Sequence, residues 1–140
     1  MTRIVDDERL IKLLENLREF SEKGVPIIVE GQKDELVLRN LGICGSIIKV
    51  GAYGPLKTAD FLFSSENMPN SVIILTDFDK NGENLARILE DLLRAYGITP
   101  INEFRKELKK LTGGRMKSIE ELLYFVELSL ENKRRRYNDE

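Results

Sequence analysis

The stretch TDFDKNGENL, residues 76–85, sets Asp77 and Asp79 one residue apart and follows them with Asn81 and Gly82. That spacing matches the opening of a calcium-binding EF-hand loop, D-x-[DN]-x-[DN]-G. The flanks do not match. An EF-hand loop is entered from a helix and closes on a bidentate Glu at its twelfth position. Here the entry is SVIIL, a β-branched apolar run, and the twelfth position counted from Asp77 is Ile88. Two other strand-terminal acid motifs also part from the chain. A haloacid-dehalogenase phosphatase carries its Asp-x-Asp near the N-terminus and continues with Thr or Val, whereas Lys80 follows here and the motif begins at residue 77. A phosphoacceptor receiver domain needs paired acids after its first strand and a Lys after its fifth. This chain has one Glu after its first strand, and no fifth strand can be read.

A second acidic motif, IIVEGQKD, lies 47 positions upstream and carries Glu30, Gly31 and Asp34. In a parallel doubly wound sheet, ligands bind outside the carboxyl ends of the strands, where the connections leave in opposite directions. If the strands before Glu30 and before Asp77 are neighbours, Glu30, Asp77 and Asp79 converge, and Asp34 looks into the same place. Carboxylates packed this closely repel one another unless a cation neutralises them. An all-oxygen set without histidine favours Mg²⁺ or Mn²⁺, which keep waters for a phosphate to displace. Gly31 and Gly82 then permit sharp turns and close approach of a substrate. Plainer roles compete: Glu30 and Asp34 suit a helix N-terminus, and Asp77 and Asp79 suit a turn, with Asn81 as the cap of the next helix. The pairing of the two motifs favours the metal site.

The elements that must position these residues follow from hydrophobic period. DDERLIKLLENLREFSEKG reads as a helix, with Asp6 as N-cap and Gly24 as stop. VPIIVE reads as a strand, KDELVLRNLG as a helix, GSIIKV as a strand, GAYGPL as a loop and KTADFLFSS as a short helix. NSVIILT is a strand, and GENLARILEDLLRAYG a helix with Leu85, Ile88, Leu89, Leu92 and Leu93 on one face. ITPI is a fourth, shorter strand. NEFRKELKKL and SIEELLYFVELSLENK are helices separated by Gly113 and Gly114, and Ser118 with Glu121 makes a capping box. Strand and helix alternate, so the expected fold is α/β, a Rossmann-like parallel sheet of about four strands flanked by helices. The expected organisation is a single domain over 1–140: an N-terminal helix in 1–24, a core over 25–110, and a C-terminal helical extension and basic tail in 111–140.

The 140-residue chain has 41% hydrophobic and 33% charged residues, the balance of a soluble domain with a charged surface. No apolar run is long enough to span a membrane, and MTRIVDDERL has no apolar signal-peptide segment, so a cytoplasmic protein is expected. One cysteine, Cys44, excludes an internal disulfide and a Cys-rich zinc site; it is expected to be a small buried apolar residue. The absence of histidine confines proton and metal chemistry to carboxylates, lysines, tyrosines and water. Residues 1–100 carry 12 basic and 16 acidic side chains, a net −4, while residues 101–140 carry 10 and 8, a net +2. Arg105, Lys106, Lys109 and Lys110 recur at helical spacing and are expected to form one basic stripe beside the acids, tracking a nucleic-acid backbone. Lys57, Lys80 and Arg87 read as solvated or as phosphate contacts. Tyr53 reads as loop packing or as a ring on which a base stacks. The KRRR run at 133–136 reads as a disordered tail.

At its two acidic motifs the sequence resembles the Toprim family, the catalytic domain shared by topoisomerases, bacterial-type primases and several nucleases. The family signature is a Glu-Gly after the first strand with an Asp four residues beyond the Glu, and an Asp-x-Asp with a glycine after the third. These fall on Glu30, Gly31 and Asp34, and on Asp77, Asp79 and Gly82. The resemblance covers residues 25–110 and is nearest to small stand-alone primase-like members. It implies Glu30 as general acid or base, with Asp34 beside it, and Glu30, Asp77 and Asp79 as Mg²⁺ ligands. Family members often have Lys directly after the Glu-Gly; this chain has Gln32 and then Lys33. Lys33, Lys80, Lys106 and Lys110 are the expected substrate contacts. The chain has no room for the nucleophile-bearing domain of a topoisomerase or the zinc module of a replicative primase. The expected activity is therefore a metal-dependent nuclease acting on structured RNA or DNA ends, with a protein partner or homodimer as company. A non-catalytic assembly module and a small-nucleotide phosphohydrolase are the rivals.

Overall fold

Both central strands are apolar on successive residues because both faces of the sheet are covered, as in all-parallel sheets. The computed structural model of the protein describes residues 6–138; Met1–Val5, part of the stretch weighed against a signal peptide, and the last two residues of the tail lie outside them. The order of elements is α1 (Asp7–Glu22), β1 (Ile27–Val29), α2 (Gln32–Asn40), β2 (Ile47–Lys49), α3 (Val50–Tyr53), α4 (Pro55–Ser64), β3 (Ser71–Ile74), α5 (Lys80–Ala95), β4 (Thr99–Ile101), α6 (Glu103–Leu111), a 3₁₀ turn (Ile119–Glu121) and α7 (Leu122–Asn138). The four strands form one parallel sheet in the order β2-β1-β3-β4, with Ile27 beside Ile73 and Ile28 beside Ile74. From β1 the chain moves outward to β2, then crosses to β3 on the other side. The switch point thus lies between β1 and β3, as the acid motifs require.

Alternation along the strands divides the interior into two cores. Ile27, Val29, Ile73 and Leu75 face α1, α2, α6 and α7, packing on Leu10, Leu38, Phe104 and Phe125. Ile28, Val72 and Ile74 face the other way, onto Val50, Ala59, Leu62, Ala86, Leu89 and Leu93 of α3, α4 and α5. The first core does not stop at residue 110: Met116, Ile119, Leu122 and Val126 are buried in it. The C-terminal extension is part of the core rather than an appendage to it.

The expected caps form. The Asp6 side chain accepts from the Arg9 N–H at 3.3 Å, and Glu121 accepts from the Ser118 N–H at 2.8 Å. Several expectations are corrected. GAYGPL is not a loop but two helices, α3 and α4, hinged at Gly54 with φ +85° and restarted by Pro55 at the first helical position. Cys44 is exposed. Ile88 lies outside the buried stripe of α5. The KRRR run continues α7, and Arg136 pairs at 2.9 Å with Asp7, which is 1% exposed. Burial of a carboxylate is tolerable only with such a partner. Among the described residues, no helix is long and apolar enough to cross a membrane.

Candidate metal centre

Glu30 follows β1 directly. β3 ends at Ile74, but Leu75 N–H still donates to Ile28 C=O at 2.8 Å, carrying the pairing forward to Thr76 and Asp77. The result is close contact between the two motifs: the Asp77 N–H donates to Glu30 Oε2 at 2.7 Å. The Asn81 amide lies 3.4 Å from Glu30 Oε1, on the other side of the same carboxylate. Asp34 Oδ2 accepts the Gly31 N–H at 3.0 Å, and Asp79 Oδ1 accepts the Gly82 N–H at 2.7 Å, capping α5. The plainer roles of Asp34 and Asp79 at helix starts are therefore real, and the cap of α5 is Asp79, not Asn81.

Charge is concentrated here. Burial first, then the neighbouring carboxylates of Asp77 and Asp79, push the Glu30 carboxyl up to about 6, against the pull of the Asp77 N–H. Burial is also the main cause that raises Asp34, helped by Asp77 and by Glu120, against the Gly31 N–H. Glu120 is a fifth acid that the sequence reading missed; it enters from the 3₁₀ turn.

Gly82 is fixed by space. A Cβ there would lie 1.9 Å from the Asp77 carbonyl oxygen, so no side chain fits. Gly51 has the same constraint: its N–H donates to the Glu30 carbonyl at 2.9 Å, and a Cβ would meet that oxygen at 2.4 Å. Nothing lies within 4 Å of a Cβ on Gly31, so space does not require a glycine there.

The loop after β3 is clamped from the C-terminal side. Arg105, only 6% exposed, donates from Nε to the Thr76 carbonyl at 2.9 Å and from Nη2 to the Asp77 carbonyl. Its guanidinium also pairs with Glu83 at 3.1 Å, holding that carboxyl below its usual range. Ile119 N–H donates to Asp77 Oδ1 at 3.0 Å, and Phe78 N–H to the Lys117 carbonyl at 2.9 Å. The expected basic stripe is thus split. Arg105 points inward, Lys109 is exposed but meets Glu83 at 3.4 Å, and Lys106 and Lys110 are exposed on α6 with no ion-pair partner among the described residues. The signal for Arg105 was available: it adjoins Phe104 and lies three residues before Leu108, within the buried period of α6. Lys33 and Lys80 are exposed at the starts of α2 and α5.

Among the described residues, no three acidic or thiol side chains are drawn close enough to form a ready-made ion cage. Glu30 Oε2, Asp77 Oδ1 and Asp79 Oδ1 each accept from a backbone N–H. Each carboxylate keeps its other oxygen clear of backbone donors, and the chief influences on Glu30 include no cationic side chain. Hard oxygen donors with uncompensated charge suit a Mg²⁺ ion that retains several waters.

The chain is similar to proteins of several archaea. It is 42% identical over 125 residues to a UPF0292 protein of Thermococcus onnurineus, covering 88% of this chain and 89% of that one. It is 44% identical over 116 residues to a UPF0292 protein of Pyrococcus furiosus, covering 82% of each, and 37% identical over 123 residues to one of Methanosarcina barkeri, covering 85% and 81%. A solved structure of a protein from Aquifex aeolicus superposes with a TM-score of 0.69 at 28% identity, covering 80% of this chain and 96% of that one. No protein-family model matches the chain.

Proposed function

The chain belongs to the UPF0292 family, and from that footing we propose that it is a cytoplasmic Mg²⁺-dependent nuclease of Toprim type, acting on structured RNA or DNA ends. The observation that carries this reading is the contact of Glu30 with Asp77 across the β1/β3 switch point, with the Glu30 carboxyl pushed up to about 6. Asp77 and Asp79 would hold Mg²⁺ (or Mn²⁺), and the charge of Glu30 beside them would add to its affinity. The bound ion supplies a polarised water and charge stabilisation at the leaving oxygen of a phosphodiester. Glu30 handles the proton. Its Oε2 is engaged by the Asp77 N–H, and Oε1, with the Asn81 amide 3.4 Å away, is the oxygen that takes a proton and returns it. A carboxyl near 6 is mostly ionised at neutral pH yet basic enough for that transfer. Asp34, its carboxyl raised mainly by burial, is held by the Gly31 N–H directly after Glu30. Arg105 positions the Asp77 carbonyl and does not touch substrate. Lys33 and Lys80, exposed at the helix starts beside the acids, are the phosphate contacts this reading assigns.

The test is cleavage of a labelled structured RNA and of blunt and overhanging DNA duplexes, with Mg²⁺, with Mn²⁺ and with chelator. Metal-dependent cleavage that Glu30→Gln and Asp77→Asn each abolish supports the reading. Mg²⁺ binding measured by calorimetry without cleavage of any of these would instead favour a non-catalytic assembly module. Hydrolysis of free nucleotides alone would favour the small-nucleotide phosphohydrolase.

A further inference from the structure

A cleft of about 500 Å³ opens on the outer side of the edge strand β2, between Ile47 and Ile48 and the helices α3 and α4. Its walls carry two aromatic rings, Tyr53 at 72% and Phe61 at 65% exposure. Large apolar side chains left so open on a protein of this size call for an occupant. Charge and chemistry narrow the choice. The lining includes Lys49 and Lys57 and no acidic residue. Lys49 is engaged by Gln32 at 2.7 Å and Glu35 at 3.2 Å, whereas Lys57 has no side-chain partner among the described residues. Asp60, which lies with Lys57 and Phe61 on an adjoining depression, is taken by the Tyr96 hydroxyl. Two exposed rings and a free cation in one acid-free groove are the components of a single-strand nucleic-acid site, where bases stack and phosphates are neutralised.

Position links this cleft to the acids. The helix that carries Tyr53 begins against Glu30, through the Gly51 N–H and the Glu30 carbonyl. No Cβ fits at that contact, so α3 cannot shift without moving the residue after β1. Resting on the proposed function, we infer that this cleft binds an unpaired nucleotide flanking the cleavage position: its base stacks on Tyr53 and Phe61 and its phosphate meets Lys57. The preferred substrate is accordingly a nucleic acid with a single-stranded segment next to its structured part.

Binding is read without cleavage, by fluorescence anisotropy in chelator at low salt, using a labelled dT12, a labelled rU12 and a blunt duplex of two separate strands. Wild-type protein binds the single strands. Tyr53→Ala and Phe61→Ala each weaken that binding by roughly 5- to 150-fold. Phe61→Trp retains it and Phe61→Leu does not, a pattern that stacking produces and generic apolar packing does not. Binding of the blunt duplex stays the same in every variant. Both rings are exposed, so unchanged thermal melts confirm that the variants are folded. Failure of the wild type to bind either single strand overturns the inference, as does wild-type affinity in the Tyr53→Ala, Phe61→Ala double variant. A wild-type dimer that this double variant converts to monomer, with no change in oligonucleotide binding, assigns the cleft to a second copy and overturns it too. Ring-dependent binding with no Mg²⁺-dependent cleavage by the wild type would sustain the cleft and sink the nuclease.

Discussion

Glu30→Gln replaces the most perturbed carboxyl at the site with a group of the same shape. Glu30 lies near 4.5 when unfolded and about 6 when folded. A carboxyl raised on folding costs the native state whenever it is ionised. That cost is fully present above about 6 and is relieved as pH falls through 6 toward 4.5. At about 1.36 kcal/mol per tenfold change in proton affinity, the ceiling is about 2 kcal/mol. Glu30 is partly exposed, and solvent screening reduces this to about 1 kcal/mol. Glutamine keeps an oxygen for the Asp77 N–H and loses the charge. In chelator at pH 7.5, the variant is expected to be more stable than wild type by about 1 kcal/mol, or about 3 °C for a chain of this size. At pH 4.5 the difference vanishes. With Mg²⁺ at pH 7.5 the order reverses, because the wild type gains ligand stabilisation that the variant lacks. Chemical denaturation at the two pH values, with and without Mg²⁺, is the assay. Equal effects at both pH values, or a loss at pH 7.5 in chelator, would refute the repulsion on which the site rests.

Three further outcomes follow from the same geometry. Asp79→Asn retains the oxygen that caps α5 and leaves metal-free stability unchanged, whereas Asp79→Ala lowers it by about 1 kcal/mol; equal losses in urea titrations would mean that the charge, not the cap, matters. Gly82→Ala drives a Cβ into the Asp77 carbonyl and costs about 3 kcal/mol or more; a wild-type melt would show that the loop yields easily. Lys106→Glu with Lys110→Glu weakens nucleic-acid binding alike for all sequences and flattens its log–log salt dependence by about one unit per lost contact; an unchanged slope by anisotropy would leave both as solvated residues.

What could be read from the sequence was whatever local pattern decides. The apolar runs before Glu30 and before Asp77 gave β1 and β3, and their two glycine-bearing acid motifs converge only if those strands are neighbours, as they are. Local pattern misled where punctuation was ambiguous. The glycines and proline of GAYGPL also spell a helix stop followed by a helix start, and packing of Val50 and Ala59 on the sheet chose that reading. Charge misled at Arg105, where a cation on the inward face finds carbonyl partners that no period reveals. The support from Lys117 and Ile119 was beyond reach, because it depends on backbone groups whose residue types carry no signal.

That support has a consequence for how the protein comes into being. Glu30, Asp77 and Asp79 are all synthesised well before residues 117–126, which fasten Asp77 and complete the core beneath it. The Asp7–Arg136 pair joins the two ends of the described chain only after that. Contacts so distant in sequence form late, because the connecting chain must be ordered first. A nascent chain that has not yet exposed residues 117–119 lacks the contacts that fasten Asp77 and Phe78 in the folded protein. The backbone groups that hold Asp77 and Phe78 therefore reach the loop only after residues 117–119 have left the ribosome.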